Sequence, residues 1–216
     1  LGDVYKRQSQ KIKIMILGGA RENGKNMYAV QVEDEIFIMD AGLKYPDSSL
    51  LGIDVVIPDL DFFRDYGDKI AGIFLTHGHA DSIGALPYIL RDYDIPVFGS
   101  KLTIELAKIA VQRENRRRKN DLFHVIDADT EIEFKNANVS FFKTTHSIPD
   151  SLGIDISTKE GEIVYTGDFK FDPSAKEGFR TDFVRLSEIA QKGVLALLSD
   201  STNAEANFPN CLLYTS

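Results

Sequence analysis

Three short segments carry the residues on which chemistry can be built. Residues 76–82 read THGHADS and set His77, His79 and Asp81 at alternate positions. They lie between an apolar run suited to a strand and a helical pattern, and alternate side chains of an extended loop point the same way. Two imidazoles beside a carboxylate make a donor set suited to Zn²⁺ or Mn²⁺. Taken alone, the pattern is also that of two loop histidines open to solvent. His146, in TTHSIPDS, and Asp168, in YTGDFKF, each follow another apolar run. Singly, His146 reads as an ordinary hydrogen-bonded histidine and Asp168 as a turn former. Their joint placement at strand ends is what points to coordination. The single cysteine, Cys211, leaves no thiolate zinc site or disulfide framework within one chain.

Periodicity places these segments on a framework. Residues 11–17 read as a strand ending at Gly18-Gly19, and 27–32 and 36–39 as two more strands around the turn-like Glu33-Asp34-Glu35. A short helix is expected over 61–66, a buried strand over 70–75 and a helix over 83–91. A strand at 96–99 precedes a helix marked by Leu102, Leu106, Ile109 and Ala110, which runs into the basic stretch Arg116 to Lys119. Strands are expected at 123–126, 131–134, 139–143, 154–157 and 163–166. A helix over 182–191 and a buried strand over 194–198 close the pattern. Strands in groups with helices interspersed indicate a layered α/β architecture.

The 216 residues, 43% hydrophobic and 27% charged, can bury one sizeable core. The formal net charge of −8 excludes nucleic-acid binding by bulk attraction, so any such contact must be local. No stretch approaches the roughly 20 apolar residues of a membrane span, and no apolar signal segment opens the chain. The expected location is cytoplasmic. Residues 1–8 (LGDVYKRQ) and 211–216 (CLLYTS) continue no internal pattern and resemble translated sequencing-adapter runs. They are expected to be non-native, leaving 9–210 as one unit.

The set His77-Gly78-His79-Ala80-Asp81, His146 and Gly167-Asp168 resembles the signature of the metallo-β-lactamase superfamily. GGARENGKN, IPDLDFF, HGHADSIGALPYIL, HSIPDSLGI and LLSDSTNAE narrow the resemblance to the ribonuclease J family of β-CASP-type RNA-processing enzymes. The fold implied is a metallo-β-lactamase-like αβ/βα sandwich. Only its first portion would be present, with 9–210 ending near the start of a β-CASP insertion. In that family, imidazoles matching His77, His79 and His146 hold one metal. Carboxylates matching Asp81 and Asp168 serve a second, the latter bridging, and the one matching Asp40 in IMDAG supports the metal loop. The implied reaction is metal-dependent hydrolysis of an RNA phosphodiester with Zn²⁺, or Mn²⁺ or Mg²⁺, bound. Catalysis would fall to Asp81 and Asp168.

The chain departs from the family at Ser82, where active members carry a histidine. This resembles the degenerate second paralogue of Gram-positive bacteria, whose expected partners are RNA and a ribonuclease J paralogue in a homo- or hetero-oligomer. A weakened nuclease and a largely architectural subunit therefore remain as readings. A hydrolase of thioesters or lactams would share the metal signature but lack the ENGKN, HSIPDSLG and SDSTNAE stretches. Lys25, in the Gly-rich turn, and Arg116 and Arg117 are candidate phosphate or RNA contacts. The alternatives are a plain inter-strand turn and a charged helix end facing its own dipole. His124, in FHVI, reads as structural.

Overall fold

In the computed structural model, which describes residues 9–47, 50–114, 120–172, 174–176, 179–202 and 204, the apolar runs become two sheets. The first contains β1 (Ile12–Gly18), β2 (Met27–Val32), β3 (Glu35–Met39), β4 (Ile70–Phe74), β5 (Val97–Gly99) and β6 (Phe123–Val125), in sequence order. Its first three strands are antiparallel and β3 to β6 are parallel. The second sheet runs β11 (Val194–Leu198), β10 (Gly161–Tyr165), β9 (Leu152–Thr158), β8 (Asn138–Lys143), β7 (Glu131–Glu133). It is antiparallel except for β10 beside β11. Residues 1–8, 205–216 and 115–119, the last holding Arg116 and Arg117, lie outside the described residues.

Alternation along the strands sorts side chains into layers. Phe37, Phe74, Val139, Phe141, Ile154, Ile156 and Ile163 fill the space between the sheets. Ile36, Ile38 and Ile73 point the other way, onto Phe63 of α1 (Asp61–Tyr66), Ile89 of α3 (Leu86–Asp92) and Ile104 of α4 (Lys101–Glu114). On the far side, Ile189 of α5 (Phe183–Lys192) covers Phe142 and Val164. The order of layers is helix, sheet, sheet, helix. Each large apolar side chain so enclosed contributes roughly 2 kcal/mol.

Two expectations need correcting. The helix expected over 83–91 is divided into α2 (Ala80–Ile83) and α3. Pro87 has no N–H to return to the preceding turn and its ring would strike the carbonyl of Ile83, so the helix restarts with proline in its first turn. The strand expected to be buried, β11, is largely open: Val194, Leu195 and Leu197 are 44%, 51% and 63% exposed. It pairs with β10 on one side, and among the described residues no strand pairs with its other edge.

Parallel strand directions deliver the chemistry to one end. β3 and β4 in the first sheet, and β8, β10 and β11 in the second, all finish at the same edge of the sandwich. The N–H of Leu152 donates to the Thr76 carbonyl at 2.8 Å and holds the two edges together.

The outer face of the second sheet buries a carboxyl pair. Asp155 is fully enclosed beside Glu162 and accepts a hydrogen bond from Ser140 Oγ at 3.2 Å. Burial, and then the neighbouring charge of Glu162, push Asp155 up to about 7. Its folded pKa thus lies above the unfolded value of about 4. The folded state holds a proton that the unfolded chain has released, so stability must fall as pH rises from about 4 to 7. Urea unfolding across that window should show the decline, to which the raised carboxyls of Asp40 and Asp168 also contribute, and D155N should make it shallower; an unchanged slope would exclude Asp155 as a source.

Candidate metal centre

The metal loop is built from backbone contacts first. Ala41 N–H donates to Ser82 O at 2.8 Å, Leu43 N–H to Ala80 O at 2.9 Å, and Asn26 N–H to Asp81 O at 3.0 Å. The segment after β3 thus lies flat against α2. Gly42 permits this, because a Cβ there would fall onto the Asp81 carbonyl. Gly167 plays the same part from the second sheet. It has φ +58, and a Cβ would come within 2.7 Å of the Thr76 side chain.

Below the loop lies Asp40, fully buried and itself in the left-handed region at φ 59. Its carboxylate accepts from the Thr76 N–H at 2.8 Å, the Thr76 hydroxyl at 2.9 Å and the Tyr165 hydroxyl at 2.9 Å. Burial pushes its pKa up to about 8, against the pull of these donors. When Asp40 is ionised it takes the one hydroxyl proton of Thr76, so that oxygen is left to accept from His77 Nδ1, 2.9 Å away. Ser82 Oγ lies 3.3 Å from the same nitrogen. In that state the proton sits on Nδ1, and Nε2 keeps its lone pair.

Among the described residues that lone pair has no partner. His77 Nε2 is buried and unsatisfied, as is Asp81 Oδ1, 3.8 Å away. Asp168 Oδ2 stands 3.9 Å from both His77 Nε2 and His146 Nε2. His146 Nε2 is 3.1 Å from His79 Nδ1, close to the edge of about 3.3 Å that ligands at zinc–nitrogen distances make in a tetrahedron. Two ligand sets result, His77-His79-His146 and His77-Asp81-Asp168, with donor atoms within 4.8 Å of one another in each. Burial, then the charges of His146 and His79, lower His77 to about 3, so it stays neutral and able to coordinate. Burial and His79 lower His146 too. Asp168 is pushed up to about 7 by burial, then by Asp81 and Asp200. Orphaned donors, neutral imidazoles and crowded carboxyls are what a bound divalent cation would satisfy, so the residues fit one.

Residues 20–202 match the family model described as the metallo-beta-lactamase superfamily. The chain belongs to that superfamily. Its curated relatives include ribonuclease J 2 of Streptococcus pyogenes serotype M3, 61% identical over 196 residues, covering 91% of this chain and 35% of the relative. Ribonuclease J 2 of Staphylococcus aureus strain NCTC 8325 is 50% identical over 202 residues, covering 94% and 36%. The chain thus spans about a third of the length of the curated relatives it matches. Among solved structures, the Rm3 metallo-beta-lactamase superposes with a TM-score of 0.52 at 15% identity, covering 86% of this chain and 74% of that one. A protein of unknown function from Enterococcus faecalis V583 gives 0.57 at 19%, covering 76% and 44%. These superpositions carry the fold alone.

Against the superfamily signature, His77, His79, Asp81, His146 and Asp168 meet at one point, with Asp40 behind them. Ser82 is fully buried and faces the back nitrogen of His77, outside both ligand sets. Lys25 is held within its own turn, with Nζ 3.1 Å from Glu22, which Lys44 also approaches at 3.7 Å. His124 stacks on Phe98 at 4.9 Å, away from the site. Sequence reading missed Thr76, Tyr165 and Asp200. The last was detectable, since it follows an apolar strand just as Asp40 and Asp168 do. A cleft of about 660 Å³ opens beside Asp168, walled by Arg21, Asn23 and Asn26 on one side and by Ser199, Asp200 and Thr202 on the other.

Because both sets draw on the same His77 nitrogen, one ion among the three imidazoles is favoured over two independent ones. Elemental analysis after dialysis against zinc should return close to one tightly held ion per chain, and H77A should remove it. Two tightly held ions would contradict this reading of the ligands.

Proposed function

We propose that the chain carries the metal centre of an RNA phosphodiester hydrolase of the ribonuclease J type, acting in RNA processing and decay. The observation that carries this reading is the convergence of the unpartnered His77 Nε2 and Asp81 Oδ1 on the imidazoles and on Asp168. The names of the relatives supply the substrate, RNA. His77, His79 and His146 would hold the first ion, Zn²⁺ by donor type, with Mn²⁺ or Mg²⁺ as alternatives. Asp81 and Asp168 would serve the second. Such ions supply Lewis acidity toward a phosphoryl oxygen and make a water nucleophilic near neutral pH. The chain's own part is to keep His77 and His146 neutral by burial, aim two carboxylates from separate elements, and offer the adjoining cleft to the strand. We place the protein in the cytoplasm, ribosomal RNA precursors among its substrates, cleaving from an end or internally.

Ser82 favours a second reading. A hydroxyl is a poor neutral ligand for zinc, and this one is directed to His77 Nδ1. The second ion would be weakly held, and the protein would serve as a low-activity or architectural subunit beside a more active ribonuclease J paralogue. No helix among the described residues is long and apolar enough to cross a membrane.

A 5′-labelled RNA incubated with the full-length protein and Mn²⁺ or Zn²⁺ tests the first reading. Slow cleavage, lost on H77A, is expected; none at any metal concentration would leave the architectural role. S82H should raise the second ion's occupancy, with turnover rising only if that ion limits it. Unchanged metal content in S82H would show that position 82 is not the lost ligand. The segment of residues 9–210 expressed by itself should not cleave RNA, and should associate through exposed Val194, Leu195 and Leu197. Robust metal-dependent cleavage by that segment as a monomer would overturn this expectation.

A further inference from the structure

Tyr165 is the last residue of β10, in the second sheet, and stands three positions before Asp168. Its side chain crosses the space between the sheets. The hydroxyl donates to Asp40 Oδ2 at 2.9 Å, while the ring lies 5.3 Å from that of Tyr28. Only 5% of Tyr165 is exposed, and Asp40 is fully enclosed. Asp40 belongs to the first sheet, where it grips the N–H and hydroxyl of Thr76 and, through that hydroxyl, orients His77. Asp168, three residues beyond the strand that Tyr165 terminates, faces the other nitrogen of His77, Nε2, at 3.9 Å. One side-chain hydrogen bond therefore links the strand that leads to Asp168 to the carboxylate that orients His77.

We propose that Tyr165 is a positioning residue of the metal centre, setting the spacing between the ligands of the first sheet and Asp168 of the second by donating to Asp40. The proposal rests on the metal-centre reading above. Partners of this kind hold metal affinity to a degree out of proportion to their distance from the ion. Their loss typically costs tenfold to a hundredfold. Tyr165 has the features such a partner needs, namely burial, a single acceptor and a rigid neighbour. Its loss would leave Asp40 Oδ2 with the Thr76 hydroxyl as its remaining donor among the described residues, and the β10 end free to shift relative to the metal loop.

The test is a Co²⁺ titration of the full-length protein, read by the visible absorption of the coordinated ion, with the thermal melt of the chelated protein measured in parallel. Y165F should weaken Co²⁺ binding by about tenfold or more and alter the band shape, leaving the metal-free melt nearly in place. Y28F, which keeps the ring contact and touches no carboxylate, should bind as the wild type does. In a D40N background, Y165F should add no further loss, because the tyrosine acts through that carboxylate. Wild-type affinity and spectrum in Y165F would overturn the proposal. So would a lower melting temperature with affinity unchanged, the mark of a merely structural role. If Y165F fails to fold, unchanged affinity in D40N overturns it equally. Absent Co²⁺ binding in the wild type, or binding that survives H77A, would instead remove the metal centre on which the proposal stands.

Discussion

An ionisable carboxyl with no exposure to water costs several kcal/mol unless donors surround it, and Asp40 is placed at such a position by a left-handed backbone turn. The structure meets that cost with one backbone N–H and two hydroxyls, drawn from both sheets. Each donor then has a second task. Thr76 passes the orientation on to His77. Tyr165 carries it across to the strand that ends near Asp168. The loop beyond Asp40 lies against α2 through Ala41 and Leu43, and Gly42 is needed because nothing larger fits under Asp81. Removing that carboxylate would leave the metal loop without a floor.

The rest of the fold serves this edge by being rigid behind it. Phe74, two residues before Thr76, is enclosed by Phe37, Phe98, Phe134 and Phe141 with ring centroids 5.0 to 6.3 Å apart. Close-packed rings resist displacement, so the loop starts from a fixed point. Rigidity is unequal at the two flanks. On the β5–β6 side the sheets are closed by α4 and its apolar contacts. Among the described residues β11 has one neighbouring strand, and it exposes most of its leucines and valine.

Most of this framework was legible because the strands stand out as short apolar runs bounded by turn residues and the helices as apolar stripes. The failures have local causes. The 83–91 helix misled because its apolar stripe continues through Pro87, whereas backbone hydrogen bonding does not. β11 misled because an uninterrupted apolar run is read as buried on both faces, while burial depends on neighbours that the run itself does not encode. At the site, the five ligand-type residues were legible through their joint placement after strands and their resemblance to the superfamily signature, whereas His146 and Asp168 read singly as ordinary. Thr76 and Tyr165 were not. A threonine before a histidine and a tyrosine ending an apolar strand are common, and their importance arises only when Asp40 is brought between them. For Lys25, sequence displays the charge but not the carboxylate of Glu22 folded back upon it.

Charge places a condition on how such a site meets a polyanion. The chain carries a net charge of −8, and Asp81, Asp168 and Asp200 concentrate negative charge where the cleft meets the ligands. A phosphate entering that space without cations would meet repulsion, and Asp168 already avoids part of it by holding a proton up to about pH 7. Divalent ions on the imidazoles and carboxylates reverse the local sign, as bound cations are often the largest charges in a site. On the proposed function, then, metal binding precedes substrate binding as an electrostatic requirement, apart from any part it plays in the chemical step. On the same proposal, Ser82 would weaken this arrangement selectively. The three-imidazole set would add one ion's charge without position 82, whereas the carboxylate set, nearest the cleft, would lack the neutral ligand proposed for that position. A strand would then be admitted on the imidazole side and poorly neutralised on the side where Asp81 and Asp168 stand. Under that reading the asymmetry would separate binding from turnover within one ligand cluster.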